Sequence, residues 1–152
     1  MQLSSLVLSA TALLAGAASG FFLVSDQPEL SDLRAAKIDF IRGIPAPVGF
    51  YSSLALPPAD INLVGSGEIL SPFVLRNTNS GEWLLSSQGG QHNPNDITGP
   101  FHLDGDHYLV YEGENGGVWN ACRSGAGHDI YLSTAPMHRE GCIAGITLRA
   151  EY

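Results

Sequence analysis

The sequence predicts an all-β fold, a single-domain antiparallel β-sandwich of short strands with little or no helix. Three observations predict it. Eighteen glycines and nine prolines punctuate the chain, so turn signals recur roughly every eight to twelve residues, the spacing of sandwiches and barrels. The apolar runs between them are short and rich in β-branched and aromatic residues, which pack well on a pleated surface. No stretch keeps a 3.6-residue apolar period, with caps, long enough to make a sustained helix.

Taken in order, the elements start after an apolar leader. Residues 1–20 carry no charged side chain, and Leu6, Val7, Leu8, Leu13 and Leu14 precede a run of Ala, Gly and Ser. An apolar core of about ten residues before small residues is the pattern of a secretory signal peptide, with cleavage expected after Ser19 or Gly20. The stretch is too weak for a transmembrane anchor. Residues 21–36 form an N-terminal segment, and 37–152 the β domain. Pro28 to Lys37 is the best helical candidate, with Pro28 suited to the first helical position and Glu29 and Asp32 to the amino end. It is short enough to be a single turn.

The strands are expected at Ile38 to Arg42, Gly49 to Leu56, Ile61 to Val64 and Glu68 to Arg76, with Pro72 marking an edge or a bulge. Residues 77–81, Asn-Thr-Asn-Ser-Gly, form a turn cluster. Glu82 to Ser87 is a strand carrying Trp83, and residues 88–99 form the longest polar loop. Gly117 to Arg123, Asp129 to Thr134 and Cys142 to Glu151 complete the set. Between them, residues 101–112 form the clearest hairpin, because Asp104-Gly105 sits between alternating apolar residues. A three-residue loop, Asp104 to Asp106, pairs Leu103 with His107 and Phe101 with Leu109. It gathers Phe101, Leu103, Leu109 and Tyr111 on one face, whereas a two-residue loop puts His102 and His107 on one face with Leu109 and Tyr111.

Composition bounds the partners. Fifteen Asp and Glu stand against seven Lys and Arg, and a net negative chain is repelled by nucleic acid and by anionic membrane surfaces. About 130 residues after the leader make one ordinary domain, expected to be monomeric and soluble. Cys122 and Cys142 are the two cysteines. In an oxidising compartment an even pair is expected to bond. A spacing of twenty without a second Cys-x-x-Cys pair is a poor zinc site. The chain has no Asn-x-Ser/Thr sequon, so N-glycosylation is not expected.

No motif assigns a catalytic residue. There is no Gly-x-Ser-x-Gly, no phosphate-cradling glycine loop and no cofactor motif. Histidines stand at 92, 102, 107, 128 and 138, enough to supply a general base to a small hydrolase of ribonuclease type. That reading requires a His and a carboxylate within hydrogen-bond reach in a cleft. Asp104, Asp106 and His107 form a weak candidate metal site, since aspartates suit calcium and imidazole suits zinc. The ordinary reading is a turn, which favours the same residues. Trp83 and Tyr108 are candidate sugar-binding aromatics, whereas Trp119, three residues before Cys122, is expected in the core.

The C-terminal third carries a resemblance. Phe101-His102-Leu103-Asp104-Gly105, Leu109-Val110-Tyr111, Trp119 to Cys122, Ile130-Tyr131-Leu132 and Gly141-Cys142-Ile143-Ala144-Gly145-Ile146-Thr147-Leu148-Arg149 follow one another. In that order they resemble the small secreted fungal cell-wall proteins of the phialide-protein (PhiA) type. The resemblance covers roughly residues 100–152. It implies a secreted, non-catalytic β protein of the fungal cell wall with a part in conidiation, and its expected partner is wall polysaccharide or a wall protein. A secreted effector or antigen that recognises a host molecule, or the small hydrolase above, are the rival expectations.

Overall fold

The computed structural model describes residues 20–37, 46–52, 58–63, 65, 67–70, 73–87, 93–114, 116–125 and 127–152. Thirteen short strands run through them in order. They are β1 (Phe22–Val24), β2 (Ala36–Lys37), β3 (Val48–Tyr51), β4 (Asn62–Leu63), β5 (Ile69–Leu70), β6 (Phe73–Asn79) and β7 (Glu82–Ser87), followed by β8 (Phe101–Leu103), β9 (Leu109–Tyr111), β10 (Val118–Ser124), β11 (Gly127–Ser133), β12 (Cys142–Ala144) and β13 (Arg149–Glu151). Every strand pairing is antiparallel. The fold is therefore all-β, as the sequence predicts. Among the described residues there is no α-helix, and the helical candidate at 28–37 is one turn of 3-10 helix, Pro28–Leu30, with Pro28 at its start.

A seven-stranded sheet dominates, running β12-β10-β11-β3-β2. The free side of β11 is shared: residues 127–129 pair with β3, and residues 131–133 pair with β7, which carries β6. Three two-stranded ribbons, β1-β13, β4-β5 and β8-β9, lie beside it. The β6-β7 hairpin turns where the Asn/Ser/Gly cluster predicts, with Gly81 at φ 75°, a conformation that favours glycine. Strand β7 has the predicted bounds.

The period of two sorts the side chains of β10 and β11. Trp119 pairs with Leu132 and Ala121 with Ile130, and all four are buried in one core with Phe50, Val48, Leu75 and Leu85. Leu23, Leu30 and Ala35 join the same core, so residues 21–36 belong to it physically. The Trp119 indole N–H donates to the carbonyl of Leu109 at 2.9 Å, which satisfies its polar edge inside the core. On the opposite row Asn120 is fully buried. Its amide donates to Ser133 Oγ at 2.8 Å and its Oδ1 accepts the Met137 N–H at 3.0 Å, as a buried amide requires. Cys122 and Cys142 are direct cross-strand partners in β10 and β12 and form the expected disulfide.

Three sequence expectations are corrected. The segment 142–151 is two strands, because Gly145 at φ 69° ends β12 and the chain leaves the large sheet to pair with β1 as β13. The segment 68–76 likewise holds two strands, β5 and β6, with Pro72 outside the described residues. The β8-β9 hairpin pairs Leu103 with Leu109, His102 with Val110 and Phe101 with Tyr111. Its loop is thus five residues, not three. His107 sits at φ 68°, a left-handed conformation that a paired strand residue does not hold. Asp104 Oδ1 accepts the backbone N–H groups of Asp106 and Tyr108, each at 2.9 Å, and fixes the longer turn. The two loop lengths have the same parity, so Phe101, Leu103, Leu109 and Tyr111 still share a face. The expected strand at 38–42 and part of the polar loop, residues 88–92, lie outside the described residues.

Candidate functional site

The candidate site grows out of the pairing of β1 with β13. The register sets Leu23 opposite Ala150, and both are buried. Alternation then turns Arg149 and Glu151 to the other side, beside Val24 and Phe22. The chain after β1 folds back over this outer side. Arg34 reaches across to Glu151, Nε to Oε1 2.5 Å, with its guanidinium 4.8 Å from the centre of the Phe22 ring. Arg149 Nε donates to Asp26 Oδ1 at 3.3 Å. The Tyr108 hydroxyl donates to Asp26 Oδ2 at 2.5 Å, and the Asp26 backbone N–H donates to Thr147 Oγ1 at 3.1 Å.

Asp26, Arg34, Arg149 and Glu151, together with Asp32, Ser25 and Ser31, line an open cleft of about 530 Å³. Asp32 holds φ 65°, one of two described non-glycine residues with positive φ. Such strained backbone persists where its surroundings fix it. The Tyr108 hydroxyl, and then Arg149, hold the Asp26 carboxyl below its ordinary range, so it is ionised at neutral pH. The same bond raises the Tyr108 phenol, which therefore stays a donor. The cleft thus offers carboxylates, the ionised Asp26 among them, as acceptors, guanidinium groups as donors and serine hydroxyls as either. That set matches a polyhydroxylated ligand.

The structure separates the two predicted aromatics. Tyr108 does not line this cleft but donates to Asp26, which does. Trp83 lies in β7 of the large sheet, half-buried against the core, with its indole N–H donating to the Asn95 carbonyl at 2.7 Å. Asp104 is engaged in its turn, and the His107 ring packs edge-on against Tyr152 at 5.8 Å. Among the described residues no group of three or more His, Cys, Asp or Glu is arranged to hold a metal ion.

Of the histidines, His102 Nδ1 lies 3.1 Å from Glu112 Oε1, but off the direction a hydrogen bond requires, and has no hydrogen-bond partner. Neither residue lines the cleft above or a second one of about 360 Å³, which His128 and Glu29 do line. His92 lies outside the described residues. Sequence reasoning missed Asp26, Arg34, Arg149 and Glu151 as one site. Alternation places Arg149 and Glu151 on one side, but their partners are 123 and 117 residues away in the chain. No local pattern links them.

Comparison of the chain with protein families, with curated proteins and with solved structures gives no match.

Proposed function

We propose that this chain is a secreted, non-catalytic protein of the fungal cell wall that binds wall polysaccharide, with a part in conidiation. One observation carries the reading. The open polar cleft beside β13 combines carboxylates, guanidinium groups and hydroxyls, and Tyr108 orients one of its carboxylates, Asp26. Saccharides are bound by such dense donor and acceptor sets, because each ring hydroxyl both donates and accepts. Asp26 uses one bond on each carboxylate oxygen for Tyr108 and Arg149, and each oxygen keeps a lone pair for a ligand. The apolar leader supports secretion, and the Cys122–Cys142 bridge is compatible with an oxidising compartment.

Co-sedimentation of the oxidised protein with insoluble chitin and β-glucan, with and without EDTA, tests this. The expected result is retention that EDTA does not change and that Asp26→Asn weakens about tenfold, the worth of one charge-assisted hydrogen bond. Absence of retention on both polymers overturns the reading and favours an effector that meets a host molecule. Retention lost in EDTA redirects attention to Asp104, Asp106 and His107.

A further inference from the structure

The second cleft carries an inference that does not depend on the first. It opens at the end of the core-facing row of β10 and β11. Along that row the cross-strand pairs are Trp119 with Leu132, Ala121 with Ile130, and then Arg123 with His128. The first two pairs are buried and apolar. The third breaks the pattern by setting a guanidinium and an imidazole side by side where alternation calls for core residues. Directly opposed side chains on one face have Cβ atoms about 4.5–5.5 Å apart, so both can reach a single oxyanion.

The surroundings leave room for one. The cleft, about 360 Å³, is bordered by Arg123, His128, Phe50, Leu33, Glu29 and Gly127. Gly127 lets β3 approach so closely that a Cβ there would lie 2.2 Å from the Phe50 carbonyl oxygen, so the wall is bare backbone. Arg34, Arg139 and Arg149 are each held by a carboxylate. Among the described residues no carboxylate lies within ion-pair distance of Arg123, in a chain with fifteen acidic side chains. Its planar fork is free for a bidentate anion. Glu29 lines the same cleft without pairing to Arg123. A carboxylate there repels a bare anion but accepts from hydroxyl groups.

We propose that this cleft binds a hydroxylated oxyanion, a sugar bearing a phosphate or a carboxylate. Arg123 and His128 grip the anionic group, and Glu29 accepts from the ring hydroxyls. The test is calorimetric titration of the folded, oxidised protein with glucose 6-phosphate, glucuronate and neutral glucose, at low ionic strength. Saturable binding of at least one anionic sugar is expected, at least tenfold tighter than glucose, and the tighter of the two identifies the anionic group. Arg123→Gln should lose at least tenfold, and Arg123→Lys less, since it keeps the charge without the fork. Arg123 is exposed, so the thermal midpoint of both variants should stay at that of the parent, which separates lost binding from lost folding. Glucose binding as tightly as the anions, no saturable binding, or binding indifferent to Arg123→Gln overturns the proposal. None of these outcomes bears on retention by neutral chitin or β-glucan, so this site and the wall reading fail separately.

Discussion

The seven-stranded sheet and the β1-β13 ribbon hold together by different means. In the sheet, Phe50, Ile130 and Leu132 are fully buried, and its polar interior groups are satisfied inside, as Asn120 is by Ser133 and Met137. In the ribbon, one row, Leu23 and Ala150, is buried, and the other is tied by ion pairs at the surface. Burial of apolar area supplies most folding free energy, whereas exposed ion pairs contribute about 0–1 kcal/mol. Stability is therefore concentrated in the sheet, and the ribbon's outer side can give up its charges to a ligand at little cost to the fold.

The largest expected effect is in the sheet. Phe50→Ala should cost about 3–5 kcal/mol, the range for emptying a buried aromatic site, read as a lower denaturation midpoint in urea. Replacing Cys122 and Cys142 together by Ser should cost about 3 kcal/mol, because the bridge closes a loop of twenty residues in the unfolded chain. The same loss should follow from adding reductant to the parent protein, and a smaller one would show that the unfolded chain already restricts this loop.

Next comes a pH effect centred on Tyr51 in the sheet. The buried Tyr51 hydroxyl donates to Asp129 Oδ1 at 2.6 Å. Burial, and then Asp129, raise its phenol well above the ordinary value of 10.0. The folded protein therefore keeps this proton where the unfolded chain loses it, so the associated stability is complete below pH 10 and declines as pH rises beyond it, by up to about 1.4 kcal/mol per pH unit. Tyr51→Phe should flatten that alkaline slope without abolishing it, because burial also raises Tyr131. An unchanged slope would assign the alkaline limb to other groups. The smallest effect belongs to the ribbon: Asp26→Asn, expected to weaken polysaccharide retention, should leave the denaturation midpoint within about 1 kcal/mol of the parent.

Much of the fold was legible because a strand's period of two names a face without needing a partner. It gave the shared face of Phe101, Leu103, Leu109 and Tyr111, while nearness to Cys122 gave the burial of Trp119 and the flanking turn signals gave the bounds of β7. It did not give the β8-β9 register, since loops of three and five residues satisfy the same alternation and only the left-handed His107 and the Asp104 side chain choose between them. It also ran residues 142–151 into one strand, where Gly145 redirects the chain. The candidate site was least legible. It is made of charges that are unremarkable one by one and meet only because β13 returns to β1.

That return also sets the order of assembly. The first described strand finds its partner in the last, so Leu23 lacks its neighbour Ala150 until the carboxyl-terminal residues have been synthesised. Pairing across nearly the whole length of a chain is slow, because the entropy of closing so large a loop must be met before any contact repays it. The cleft beside β13 is therefore absent until that pairing closes, whatever part of the sheet has already formed.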